Sequence, residues 1–442
     1  MPDASPSVSA RTKKALFILL AVALVIHVAS DVGVYLKRPE SISTTPDPLD
    51  YRLLALNLLE HHTFSIAPAS FQVHEMLRTP VYPALLAGTY LLDGGSGLAM
   101  ILLQSLMLIV MGWLLFWLMM AFRVPDTLAL VLTGVYLFEP FQWLYTLHTM
   151  TETLASLLML ALLAGALVGK GITDWSRAAL YGIGLGLLVF EKPSAMMWVP
   201  FLLALVLVAA GSWRARFARA GLALFLCLLT LAPWMIRNHA LAGSFTVSSS
   251  GPYNLVYMFQ GRSSDIPPSY TEALTTVSYN GRSNQVWYAY TTAGYPMLVR
   301  TEHAILSHLD LVSFVSRQLA YAPVVWFGYI HPRDQEASGH EYALIADLAT
   351  SPNAGRDAVI GAVDTGIWAL ALALGLLGSF LFLRDASLRW RFLPLLAMLV
   401  ATICINLCAA WVRVLLPVYP VIFVAVGAGV AYILRRAHRM AV

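Results

Sequence analysis

The sequence predicts an all-α polytopic membrane protein of about ten transmembrane helices. Three observations predict it. Of 442 residues, 59% are hydrophobic and only 12% charged, where a soluble domain carries about 25% charged residues. The mean hydropathy is +0.70. Many apolar runs approach the roughly 20 residues a spanning helix needs, and a backbone in lipid must satisfy its own hydrogen bonds, which makes helices the default.

Residues 1–14 are polar and end in Arg11, Lys13 and Lys14. The first span is Ala15–Ala29, with no convincing small-residue cleavage site after it, so it reads as an anchor rather than a removed signal. The basic flank places residues 1–14 in the cytoplasm. Residues 31–97 then form an outer loop. Within it Ala84–Leu92 is too short to span before Asp93-Gly94-Gly95-Ser96-Gly97, and is expected to lie at the outer surface or half-inserted.

Nine further spans follow: Leu98–Ala121, Leu128–Phe138, Thr151–Val168, Ala178–Phe190, Ala195–Ala210, Gly221–Ile236, Val359–Leu383, Phe392–Ala410 and Val414–Leu434. Counted this way, Arg123, Lys170, Arg177, Arg214, Arg216, Arg219, Arg384, Arg389, Arg391, Arg435, Arg436 and Arg439 all face the cytoplasm. A spanning Ala84–Leu92 would reverse every later cluster. Both termini are therefore expected inside. The chain divides into a membrane core over 15–236, an outer segment over 237–357, and C-terminal helices with a tail over 358–442. In the outer segment Leu298–Tyr329 repeats apolar residues at helical spacing, as an amphipathic surface helix would. No internal repeat is visible.

Some functions are excluded or weakened. The net charge of +4 says nothing of nucleic acid, because the basic residues sit at span ends. There is no P-loop and no zinc-like ligand spacing. Cys227, Cys404 and Cys408 all lie in apolar runs and read as plain core residues. No cofactor or metal is called for, and a divalent cation stays open.

The polar density lies between Pro46 and Pro83. Asp47 and Asp50 are three apart at the head of an apolar stripe with Tyr51, Ala55, Leu58 and Leu59. Asp47 reads either as a helix cap or as a general base, which partial desolvation would suit. Glu75 and Arg78 are also three apart and read as a surface ion pair or as part of a site. Arg78-Thr79-Pro80-Val81-Tyr82-Pro83 is a basic turn stiffened by two prolines, fit for a phosphate or for an interfacial anchor. Glu139 and Glu152 bracket an outer turn, where Glu152 also suits a helix first turn. Lys192, Arg237 and Arg413 are cations on the outer side. They read as contacts to an anionic lipid phosphate, which as a leaving group needs cationic support, or as partners of Glu191, Glu152 or Asp50.

These motifs resemble the bacterial GT-C glycosyltransferases related to protein O-mannosyltransferases and the lipid A aminoarabinose transferase. Pro46-Asp47-x-x-x-Tyr51-x-x-x-Ala55 is similar to the family's P-D-E-x-x-Y-x-x-x-A segment, with Pro48 where the family has its second acid. Arg78-x-Pro80-x-Tyr82-Pro83 is similar to its R-x-P-x-Y-P turn. Pro233-Trp234-x-x-Arg237-Asn238 with Gly243-x-Phe245, and Arg413-x-x-x-Pro417-x-x-Pro420, are similar to its later motifs. Measured against that pattern, the sequence is expected to carry no sizeable C-terminal outer domain of the kind some relatives have.

The resemblance implies an inverting transfer of a sugar from a polyprenyl-phosphate carrier, a membrane lipid, to an acceptor that is a lipid, glycan or protein. Asp47 would be the base; with Pro48 in place of the family's second acid, whether Asp50 shares the role stays open. Arg78, Lys192, Arg237 and Arg413 would hold the donor phosphate, and Tyr51, Glu75, Tyr82 and Glu152 would support the site. The active face would be the periplasmic side of a bacterial inner membrane. The alternative is a flippase or transporter of lipid-linked sugars, and a third reading is a non-catalytic subunit of an envelope assembly. Charges at span ends and the missing repeat favour the enzyme.

Overall fold

The computed structural model describes residues 8–39, 46–66, 74–259, 274–279, 282–287, 292, 294–307, 310, 312, 316, 354–409 and 412–441. The expected helical membrane architecture is what these residues show, with one β-hairpin added. The helices are α1 (Ala10–Lys37), α2 (Pro46–His61), α3 (Val81–Asp93), α4 (Leu98–Ala121), α5 (Asp126–Leu137), α6 (Pro140–Leu147), α7 (Glu152–Leu167), α8 (Trp175–Glu191), α9 (Val199–Leu207), α10 (Trp213–Ala242), α11 (Ser250–Phe259) and α12 (Tyr295–Ser307). The last three are α13 (Ala354–Arg384), α14 (Arg389–Ala409) and α15 (Tyr419–Ala441), and Val412–Val418 forms a 3-10 turn before α15. Strands β1 (Leu274–Tyr279) and β2 (Arg282–Trp287) pair antiparallel, Leu274 opposite Trp287.

The helix starts follow local chemistry. Ser9, Asp174 and Ser212 cap α1, α8 and α10 by accepting from the backbone N–H three residues on; such a cap is worth about 1 kcal/mol. Glu139 caps α6 in the same way, accepting from Gln142 N at 2.8 Å, a defined role for an acid that composition alone leaves solvated. α3 ends on Gly94 at φ +66°, a left-handed position that costs glycine nothing.

Among the described residues, four helical stretches are long and apolar enough to cross a membrane: Ala10–Lys37, Leu98–Ala121, Trp213–Ala242 and Leu415–His438. The first and third have only 22% of their most apolar windows buried, so their remaining apolar surface faces outward, as a lipid environment requires. Other expected crossings fall on shorter apolar helices, among them Asp126–Leu137, Glu152–Leu167 and Pro193–Leu207; the count of ten remains a sequence expectation. α12 covers the start of the amphipathic stretch expected over 298–329; beyond Ser307, all of that stretch but 310, 312 and 316 lies outside the described residues. Cys227 is buried and Cys404 exposed on α14.

Close helix approach is made by small residues. At Gly182 a Cβ would sit 2.4 Å from the Ala223 carbonyl, so α8 and α10 touch backbone to backbone there. The main apolar core includes Leu108, Leu115, Phe116, Tyr136, Leu163, Leu185, Trp198 and Phe392. A second, smaller cluster joins α2, α3 and α4 through Tyr51, Ala55, Tyr82, Leu86, Ala87, Tyr90 and Met100. Burying one such side chain is worth about 1.5–3 kcal/mol. This cluster fixes α2, and with it Asp47 and Asp50, over one end of the bundle. α3 is two-faced: Tyr82, Leu86 and Tyr90 are buried while Leu91 and Leu92 are exposed.

Candidate active site

The residues 74–80 are the hub of that end. Their backbone is tied on several sides: Arg237 Nη1 donates to the Glu75 carbonyl at 2.8 Å, Ser248 Oγ to the Leu77 carbonyl at 2.6 Å, and Ser249 N to the Met76 carbonyl at 3.0 Å. Thr79 Oγ1 donates to the Glu191 carbonyl at 3.3 Å. Residues from α8, α10 and the segment after it thus converge on the Arg78 turn.

Asp47 lies in the first turn of α2, not at its cap, and Asp50 one turn on. Arg78 reaches both. Its Nη2 donates to Asp47 Oδ1 and, at 3.0 Å, to Asp50 Oδ2. The guanidinium also lies over the Tyr51 ring, 5.1 Å from its centroid, and Tyr51 meets Tyr82 edge-on at 5.1 Å. Asp47 remains 18% exposed. Burial pushes Asp50 up to about 6, against the opposing pull of Arg78.

Glu75 corrects the expected surface ion pair with Arg78. It is buried, and its Oε1 accepts from the backbone N–H groups of Leu77 and Arg78 at 2.8 and 3.0 Å. Its other oxygen is buried with no hydrogen-bond partner. Burial, then the nearby Asp50 charge, pushes its carboxyl up to about 7. His74 is held below the usual histidine range by burial and by Arg237.

Beneath this layer Lys192 donates to Glu152 Oε1 at 2.9 Å, in a pair whose side chains are 11% and 2% exposed. Of the two readings of Lys192, the structure shows the one in which Glu152 is its partner. Glu191 is 1% exposed and neither carboxyl oxygen finds a hydrogen-bond partner. Tyr82 donates to Gln104 Oε1 at 2.7 Å, and Gln104 in turn donates to the carbonyls of Thr146 and His148, both at 2.8 Å. That chain links the turn at Arg78 to the turn before Glu152.

Arg237 stacks on Trp234 at 4.3 Å. It spends Nη1 on Glu75 and on Asn238 Oδ1, which leaves its other nitrogens as donors for a further acceptor. The backbone of Arg413 lies in the 3-10 turn; its side chain lies outside the described residues. Among the described residues, no group of three or more His, Cys, Asp or Glu is arranged to hold a metal ion.

The structure therefore brings together Asp47, Asp50, Tyr51, Glu75, Arg78, Tyr82, Glu152, Lys192 and Arg237. Sequence reasoning missed Gln104, which carries no charge to flag it, and treated Glu191 only as a possible pairing partner. It also passed over Asp31 at the same end, buried and accepting from Ser105 Oγ at 2.6 Å and Trp143 Nε1 at 2.8 Å.

No protein-family model and no curated protein matches the sequence. Among solved structures, the chain is similar to the apo crystal structure of the Archaeoglobus fulgidus oligosaccharyltransferase, at 12% identity and a TM-score of 0.48, covering 96% of this chain and 52% of that one. It is similar to ArnT from Cupriavidus metallidurans bound to undecaprenyl phosphate, at 15% identity and a TM-score of 0.38, covering 92% and 77%. The chain spans about half the length of the oligosaccharyltransferase it matches. At these scores neither assigns a residue or an activity to this chain.

Proposed function

We propose that this chain is a membrane glycosyltransferase. It moves a sugar from a polyprenyl-phosphate carrier to an acceptor on the non-cytoplasmic face of a bacterial inner membrane, with inversion. The observation that carries the reading is the joining of Asp47 and Asp50 by Arg78 at the margin of a buried charged layer, with Arg237 beside it. The motif resemblance supports it.

Asp47 takes the proton from an acceptor hydroxyl or amine. The acceptor atom then attacks the anomeric carbon, and the bond from that carbon to the lipid phosphate breaks with its electron pair passing to the phosphate oxygen. Cationic donors stabilise that oxygen as charge builds; Arg237, with nitrogens unspent, and Arg413 take this role. Arg78, which the sequence also offered as a phosphate contact, here orients the two aspartates. Lys192 and Glu152 brace the layer beneath.

Incubating purified protein with a panel of synthetic polyprenyl-phosphate sugars and envelope extract tests this. Transfer, or slow hydrolysis, of at least one donor is expected. Binding of donors without turnover of any would turn the assignment toward a transporter of lipid-linked sugars.

A further inference from the structure

The opposite end of the bundle carries a second polar constellation that transfer chemistry does not use. α4 starts at the site end and runs for 24 residues, about 36 Å at about 1.5 Å per residue. Beyond it, Arg123 pairs with Asp385 at 3.6 Å, which places the turn between α13 and α14 at the far end. α8 and α10 end at Glu191 and near Arg237 on the site side, so their first residues, Trp175 and Trp213, lie at the far end too. This is the end that the basic clusters mark as cytoplasmic.

At the turn between α13 and α14, a cleft of about 170 Å³ is lined by Leu383, Arg389, Trp390 and Leu393. The Arg389 guanidinium lies 5.2 Å over the Trp390 ring and takes no acid partner among the described residues. Trp390 is 57% exposed, and Leu383 and Leu393 are exposed as well. Arg389 and Leu393 are four apart on α14 and share a face. Arg384 and Arg391 flank them, and Asp385 is the one acid between 384 and 391. An exposed indole beside arginines repeats at Trp213-Arg214. An amphipathic ring at headgroup level, an apolar slot and surplus guanidinium charge are the features that a lipid of net negative charge recognises.

We propose that this cleft binds a phospholipid with an anionic headgroup. The phosphate sits against Arg389, the indole of Trp390 lies at the headgroup boundary, and an acyl chain runs between Leu383 and Leu393. The inference is independent of the proposed transfer reaction.

Native mass spectrometry of the detergent-purified full chain, titrated with phosphatidylglycerol, tests it, with phosphatidylcholine and inorganic phosphate as comparison arms. Retained phosphatidylglycerol is expected. Arg389→Gln should weaken its retention roughly tenfold, the scale of one lost charge-assisted hydrogen bond, and Trp390→Leu should weaken it several-fold. Both variants should melt as the wild type does, since both side chains are exposed. Retention of phosphatidylglycerol by both variants at the wild-type level would overturn the proposal, as would phosphatidylcholine bound as tightly. Displacement of the lipid by equimolar phosphate would show a free-anion site instead.

Discussion

Lys192→Met isolates the buried charge layer under the candidate site. The wild-type pair with Glu152 is 2.9 Å long and nearly dry, and Glu191 beside it has both oxygens buried and unpartnered. Methionine keeps the length of the side chain but removes the ammonium, leaving two buried carboxyls with no cation between them. Breaking a buried pair from one side costs about 3–5 kcal/mol. At about 1 °C per kcal/mol for a chain of 442 residues, the melting temperature in detergent should fall by about 3–5 °C. Adding Glu152→Gln removes one of the stranded charges, so the double variant should recover about 2 kcal/mol, the size of a strong pairwise coupling. Thermal melting of wild type, both single variants and the double closes the cycle. A Lys192→Met protein that melts like the wild type, or a double variant less stable than Lys192→Met alone, would refute the reasoning.

Further outcomes follow from the Arg78 turn. Arg78→Lys keeps the charge but, on a shorter side chain, not the reach of the guanidinium Nη2 that donates to both aspartates; kcat should drop roughly tenfold or more, by the loss of one charge-assisted bond, while KM for the donor stays unchanged. A raised KM with kcat intact would make Arg78 a donor contact instead. Glu75, at about 7, binds a proton more tightly folded than unfolded. Its contribution to stability is therefore greatest below the unfolded value near 4.5 and is lost as pH rises toward 7. Glu75→Gln keeps the acceptor oxygen for Leu77 and Arg78 and should flatten that decline, seen as melting temperatures at pH 5 and pH 8 that differ less than in the wild type. An unchanged difference would place the titration elsewhere.

How much of this was legible in the sequence depended on range. The spacing of Asp47 and Asp50, three apart on one helix, put both on one face before any fold was known. The partner that joins them, Arg78, comes from 28 and 31 residues further along the chain and depends on how α2 and α3 pack through Tyr51 and Tyr82. Glu75 looked like a surface acid because an i,i+3 pair with Arg78 is the cheap local solution. The folded chain turns it inward to close the backbone of its own turn. Glu152 was one of three acids offered as partners to the outer cations, Lys192 among them, but the dryness of their pair and the stranding of Glu191 depend on helix packing that hydropathy does not encode. The β1–β2 hairpin went unread, although Asn280-Gly281 is a strong local hairpin signal.

Single-turnover transfer from a polyprenyl-phosphate sugar, by wild type and by Asp47→Asn with donor binding measured on both, bears most directly on the transferase reading. It predicts that Asp47→Asn binds donor as the wild type does and loses transfer by at least about 100-fold, the low end of what a general base supplies. Transfer by Asp47→Asn at near wild-type rate would contradict the assignment of the base.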